Sequence, residues 1–211
     1  MIDYSALKKA VIDGDDERTA QLVKEAIEQH ADPADIVTLG LQAGLVTVGE
    51  KFSSGEFFIP EMLLAARTVT RSLDIIRPLV SDSDMITAGK VVIGTVVGDL
   101  HDIGKNLVGM LLGGVGFDVL DLGTDVYPKR FVTAVMEHKP DILGMSALIT
   151  TTMPAMEATI QALESANIRR QVKVIVGGAP VTQHFADQIG ADGYCSNGGS
   201  AIELCNRLVG R

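Results

Sequence analysis

The sequence predicts an α/β chain in which four helices precede a doubly wound, five-stranded parallel sheet. Two observations carry this expectation. From residue 91 onward, short apolar runs rich in β-branched residues alternate five times with stretches of helical period. Residues 91–97 lead to a helix over 103–115, 119–122 through Pro128 to 131–138, 142–145 to 154–166, 174–176 to 181–189, and 193–195 to 201–209. Such alternation is the pattern of a parallel sheet joined by right-handed crossovers. Before residue 89 the apolar residues instead recur at helical spacing. A strand order 2-1-3-4-5 puts the ligand crevice between strands one and three. It brings the loops carrying His101 and Ser146 together, although they are 45 residues apart.

In the helical part, Leu7, Ala10 and Val11 mark a short first helix. Asp15 or Asp16 caps a second with Ala20, Val23 and Ile27 on one face. Asp32 followed by Pro33 opens a third helix toward Val48, with Ile36, Leu39, Ala43 and Val46 inward. Pro60 opens a fourth, with Leu63, Ala66, Val69, Leu73 and Ile76 inward, and the closure expected is an antiparallel four-helix bundle. Three of the six Phe lie at Phe52, Phe57 and Phe58 in the connection before Pro60, where a staple over the bundle end is the simplest reading.

Charge places the boundary. Residues 1–89 hold 8 Lys and Arg against 15 Asp and Glu, whereas the remainder holds 10 against 12. The Ser- and Asp-containing stretch 81–89 has linker composition, so domains are expected at 1–88 and 89–211. A net charge of −9 argues against nonspecific nucleic-acid binding. Two cysteines build no disulfide framework, no signal region follows Met1, and no apolar run reaches membrane-spanning length. The expectation is a soluble, cytoplasmic protein of 46% hydrophobic composition.

The first strand runs into Gly98-Asp99-Leu100-His101-Asp102-Ile103-Gly104-Lys105-Asn106. His101 therefore sits in a strand-end loop, with Asp99 placed to bind its second ring nitrogen and fix the tautomer. Five residues separate Gly98 from Gly104 and Asn106 follows Lys105, so the loop is not a P-loop. No dinucleotide fingerprint occurs. Cys195 and Cys205 are distant in sequence and no second His has ligand spacing, so His101 does not belong to a zinc site. One protein ligand suffices for a metal that arrives inside a macrocycle. His30, His138 and His184 read as solvated. Taken alone, Thr150, Thr151 and Thr152 read as helix caps, and Gly177-Gly178 as a tight turn.

Asp99-Leu100-His101-Asp102-Ile103-Gly104 resembles the Asp-x-His-x-x-Gly signature of cobalamin-binding domains, as in methionine synthase, the adenosylcobalamin mutases and the small corrinoid proteins of methyltransferase systems. Ser146-Ala147-Leu148-Ile149-Thr150 and Gly177-Gly178-Ala179-Pro180 stand at two further motif positions of that family. The resemblance spans essentially the whole chain and implies a flavodoxin-like cobalamin-binding fold under a helical cap. It implies that His101 is the lower ligand to cobalt, replacing the benzimidazole base of cobalamin or a related corrinoid. Asp99 and Thr152 then form a His-Asp-hydroxyl relay. Gly98, Asp102, Ile103, Gly104 and Leu148 also contact the cofactor, and Ser146, Thr150, Gly177, Gly178, Asn197 and Gly198 form the pocket for the displaced nucleotide tail. Phe52, Ile59 and Met62 align with the residues that shield the corrin's upper face.

By the same resemblance the chain is a carrier subunit, not a complete enzyme. A substrate-specific methyltransferase loads cobalt(I) to give methylcobalamin, and a second methyltransferase delivers the methyl group to tetrahydrofolate or a thiol cofactor. A reductive activase is a further partner. The alternatives are a mutase subunit, which generally lacks the helical cap, and a cobalamin-based sensor, for which no additional module is expected.

Overall fold

The architecture comes from a computed structural model that describes residues 2–76 and 87–210. Most of the 81–89 stretch lies outside the described residues. The chain divides into two compact units, Met1–Thr87 with Gly113–Gly116, and Ala88–Leu112 with Phe117–Arg211.

The helical unit begins with α1 (Tyr4–Ile12), capped by the Asp3 carboxylate on the Ser5 and Ala6 amides, and α2 (Asp16–Glu28). Asp15 is the N-cap of α2, accepting from Arg18 N–H at 2.9 Å. Asp16 instead ties α2 to a later helix, α5 (Ile59–Ile76): its carboxylate accepts from Thr68 Oγ1 at 2.6 Å and Arg71 Nη1 at 2.7 Å. On α1 the inward residues are the expected Leu7, Ala10 and Val11. On α2 they are Thr19, Val23 and Ala26, with Ala20 and Ile27 only half-buried.

The third expected helix is continuous but not uniform. α3 (Pro33–Asp35) passes into a π-helical segment, Ile36–Gln42, and then into α4 (Ala43–Ser53). A π turn takes more residues than an α turn. The buried face therefore moves from the expected Ile36, Leu39, Ala43 and Val46 to Ile36, Leu41, Leu45 and Val48, leaving Leu39 exposed. Gly40 and Gly44 lie on this face against α1. A Cβ at Gly40 would meet Leu7 Cδ2 at 2.3 Å, and one at Gly44 would meet Val11 Cβ at 2.7 Å. On α5 the inward residues are Met62, Ala65, Ala66, Val69 and Ile76, with Thr68 and Ser72 among them. Leu63 points outward and Leu73 is half-buried, because two small hydroxyl residues occupy inward places that a hydropathy pattern assigns to leucine.

The second unit alternates β1 (Gly89–Thr95), α6 (Ile103–Gly114), β2 (Phe117–Asp121), α7 (Pro128–His138), β3 (Ile142–Ser146), α8 (Pro154–Ser165), β4 (Lys173–Gly177), α9 (Gln183–Ile189), β5 (Gly193–Cys195) and α10 (Gly198–Leu208). The strands are parallel, as the alternation predicts, and run in the expected flavodoxin-like order β2-β1-β3-β4-β5. Both faces are buried. Val92, Val96, Leu143, Met145, Val174 and Val176 pack with Phe131, Met156 and Ile160 from α7 and α8. Val91, Ile93, Ile142 and Ile175 are buried on the opposite face. A sheet covered on both sides explains why its strands read as apolar runs without alternation. The strand register also sets where the loops begin. Thr95 pairs with Ser146, Ser146 with Gly177, and Gly177 with Cys195, so the first, third and fourth loops leave the sheet from one row.

Cys195 and Cys205 are free and buried. Burial pushes each thiol from 9.0 up to about 12, with Arg207 opposing the shift at Cys195 and Cys195 adding to it at Cys205. Neither thiol should react with an aromatic disulfide reagent at pH 8 in the folded protein, and both should react in urea. The folded state holds its thiol protons to higher pH than the unfolded chain, so this contribution to stability is complete below about pH 9 and declines as pH rises toward 12. Rapid native labelling would contradict the burial.

Candidate functional site

The site is built where β1 leaves the sheet. Gly98 turns with φ +83°, and Asp125, itself a non-glycine residue at φ +53°, fixes that turn. Asp125 Oδ1 accepts Gly98 N–H at 2.8 Å, and Asp125 N–H donates to the Asp99 carbonyl at 3.1 Å. The clamp directs Asp99 inward, where it has no exposed surface.

A buried carboxylate requires hydrogen bonds, and Asp99 accepts four. Oδ1 takes His101 N–H at 3.0 Å and contacts His101 Nδ1 at 2.7 Å. Oδ2 takes Leu148 N–H at 2.6 Å and Thr152 Oγ1–H at 3.0 Å. Thr152 has a second acceptor, the Ile149 carbonyl at 2.9 Å, but a charged acceptor forms the stronger bond. Burial alone pushes the Asp99 carboxyl up. The amides of Leu148 and His101, the imidazole and the Thr152 hydroxyl outweigh it and hold the group well below the usual carboxylate range.

An ionised Asp99 puts the imidazole proton on Nδ1 and leaves the Nε2 lone pair for a ligand. The His101 side chain is 55% exposed while its carboxylate partner is 0% exposed. Thr95 Oγ1 supplies a further anchor by donating to the His101 carbonyl at 2.9 Å. Large apolar side chains are exposed on the same loops, Leu100 before His101, Ile103 at the start of α6, and Leu148 and Ile149 after β3, with Asp102 and Thr150 exposed among them. Gly104 has no atom within 4 Å of where a Cβ would stand. Among the described residues, no group of three or more His, Cys, Asp or Glu side chains converges to hold a bare metal ion. One exposed nitrogen amid exposed apolar side chains suits a flat, largely apolar ligand that brings its own metal.

The remaining sequence-selected residues fall at several places. Asp102 is exposed, and Ser146 is half-buried at the end of β3, with Thr150 exposed beyond it. At the end of β4, a Cβ on Gly177 would lie 3.0 Å from the Cys195 carbonyl. Gly178, at φ +126°, would place a Cβ 1.8 Å from the Ala147 carbonyl, so only glycine fits. Asn197 caps α10, its Oδ1 accepting Ser200 N–H at 2.9 Å, and Gly198 is buried. In the helical unit Ile59 is exposed, Phe52 half-buried and Met62 fully buried. Sequence reasoning missed Asp125 and Thr95. For Thr95 a signal existed: a lone hydroxyl in a buried apolar strand needs a partner. For Asp125 the only hint was the turn composition of Gly123-Thr124-Asp125.

This sheet edge thus presents one exposed imidazole backed by a buried carboxylate. The B12 binding domain family matches residues 89–205, and a second family of the same description matches residues 4–77. The chain belongs to the B12-binding family, among its small corrinoid proteins. It is 43% identical over 203 residues to Trimethylamine corrinoid protein 1 of Methanosarcina acetivorans, covering 95% of this chain and 93% of the relative. A cobalamin-binding protein from Desulfitobacterium hafniense superposes with TM-score 0.88 at 33% identity over 100% of both chains. A chain of the methanol:cobalamin methyltransferase complex from Methanosarcina barkeri superposes with TM-score 0.84 at 30% identity, over 98% of this chain and 79% of that one. The bound group is therefore cobalamin or a related corrinoid. No helix among the described residues is long and apolar enough to cross a membrane.

Removing one of four donors to a buried carboxylate should be measurable without cofactor. Thr152→Val is expected to lower the unfolding free energy by about 1–3 kcal/mol in urea titrations. A change within about 0.5 kcal/mol, the range of an ordinary surface substitution, would show that Asp99 does not depend on this hydroxyl.

Proposed function

We propose that this chain is a methyl carrier: it holds a corrinoid whose cobalt is ligated by His101, is loaded by a substrate-specific methyltransferase, and is unloaded by a second methyltransferase. The second delivers to tetrahydrofolate or a thiol cofactor, and a reductive activase restores the carrier after oxidation. The observation that carries the reading is the exposed imidazole whose Nδ1 contacts the buried Asp99 carboxylate at 2.7 Å. The relative named for trimethylamine and the structural neighbour solved within a methanol:cobalamin methyltransferase complex support a partner methyltransferase acting on a small methylated substrate.

When bound, the corrinoid supplies a cobalt centre that takes up a methyl group and gives it up again. The chain's own part is to orient one nitrogen and manage one proton. Asp99 keeps the proton on Nδ1 and the Nε2 lone pair outward, and Thr152 and Leu148 N–H keep Asp99 ionised. We assign Ser146, Thr150, Gly177 and Gly178 to the nucleotide tail: two hydroxyls and a stretch of side-chain-free backbone leave one row of the sheet edge.

His101→Ala tests the assignment. The wild-type protein reconstituted with hydroxocobalamin should show the absorption of a His-ligated, base-off corrinoid, and the variant should remain folded, by circular dichroism, without that signature. An unchanged spectrum would remove His101 from the metal. The carrier role is checked separately by co-purifying partners and assaying methylation of the wild-type corrinoid with methylated amines and methanol. No methylation with any methyltransferase recovered would contradict it.

A further inference from the structure

Besides the Asp99 carboxylate, a second set of hydrogen bonds reaches the backbone of His101, and a buried lysine stands at its centre. Lys105 lies in the first turn of α6 with only 1% of its side chain exposed. An ammonium this deep requires partners. It lies between Asp121 Oδ2, at the end of β2, and Asn106 Oδ1 at 2.6 Å.

Each partner continues the network. Asp121 Oδ1 accepts Gly123 N–H at 2.8 Å, the Gly123 carbonyl accepts Thr95 N–H at 2.9 Å, and Thr95 Oγ1 donates to the His101 carbonyl at 2.9 Å. In the other direction, Asn106 Nδ2 donates to Asp102 Oδ2 at 3.0 Å, and Asp102 is the next residue after His101. The two arms end on adjacent residues, so the circuit closes around the loop. Lys105 is the junction where they meet.

Helix stability does not account for a lysine here. A positive charge in the first turn opposes the helix dipole, and a lysine buried against the partly exposed Asp121 is weak grounds for stability compared with an apolar residue of similar size. What a buried, multiply bonded ion does provide is a fixed geometry. A ligand nitrogen on a loop must be held to about half an ångström to bind its metal well.

We propose that Lys105 is a positioning residue for His101, joining Asp121 to Asn106 so that the His101 backbone is fixed independently of the Asp99 contact to its ring. The inference rests on the reading of His101 as the cobalt ligand. It predicts that loss of Lys105 frees the loop while Asp99 and the corrinoid pocket keep their own groups.

The test compares Lys105→Met, Asn106→Ala and a control, Val135→Ala, which thins the sheet core in α7 without touching the circuit. Each protein is loaded with hydroxocobalamin, and the ratio of His-ligated to His-free corrinoid is read from the visible spectrum. Each is also labelled with 15N-histidine, and the His101 Nδ1–H signal is recorded without cofactor. Lys105→Met should lower the ligation ratio about tenfold and broaden the imidazole signal, with Asn106→Ala smaller in the same direction. Val135→Ala should melt earlier yet keep the wild-type ratio. Wild-type ratio and signal in Lys105→Met would overturn the inference, as would an equal loss in Val135→Ala, which would reduce Lys105 to general stability. If Lys105→Met fails to fold, Asn106→Ala decides, because its side chain is exposed and the Lys105–Asp121 pair stays in place; an unchanged ratio there overturns the proposal. A wild-type protein with no His ligation would overturn the reading of His101, and this inference with it.

Discussion

Asp99 is a charged group with no exposed surface, and the surroundings of the cofactor loop follow from the need to satisfy it. Two donors come from His101 itself, one from the β3 loop through Leu148 N–H, and one from Thr152 before α8. A buried anion left with an unmade bond loses far more than a made bond contributes, so the β1 and β3 loops are held together at the crevice. The same carboxylate sets the imidazole tautomer. Folding and ligand chemistry therefore share one atom group, and Asp99 cannot be altered for one without the other.

The parallel sheet makes this economical. Because Thr95, Ser146 and Gly177 lie in one row of the register, three loops begin at the same height without further adjustment. Each loop contributes a different property: an exposed imidazole, hydroxyl and amide donors, and backbone free of side chains. The helical unit uses other means. There, Gly40 and Gly44 admit α1 closely, and Asp16 joins α2 to α5 through Thr68 and Arg71.

Much of this was legible in the residues. The alternation of β-branched runs with helical stretches pointed to the parallel sheet, and the flavodoxin-like order expected for it placed the His101 and Ser146 loops side by side. Asp99 and His101 were visible because their side chains carry the chemistry. What escaped was carried by backbone. The amide of Leu148, the left-handed Asp125 and the Gly123 carbonyl leave no mark on a hydropathy pattern. The π segment Ile36–Gln42 escaped for a related reason: it moves the buried face of α4 by changing hydrogen-bond spacing, with no unusual residue to announce it. The Lys105 circuit combines both difficulties, since a lysine in an exposed-looking helix turn is buried between its neighbour Asn106 and Asp121 at the end of β2.

The proposed methyl carrier places a single nitrogen of this loop, His101 Nε2, on the metal in place of the cofactor's own base. Electron paramagnetic resonance of the cobalt(II) corrinoid bound to the protein tests this directly, because the unpaired spin couples to an axial nitrogen. Protein carrying ordinary histidine should show each line split into three, and protein labelled with 15N-histidine should show each split into two. A three-line pattern that survives histidine labelling would mean that the cofactor's own base holds the metal and would contradict the assignment.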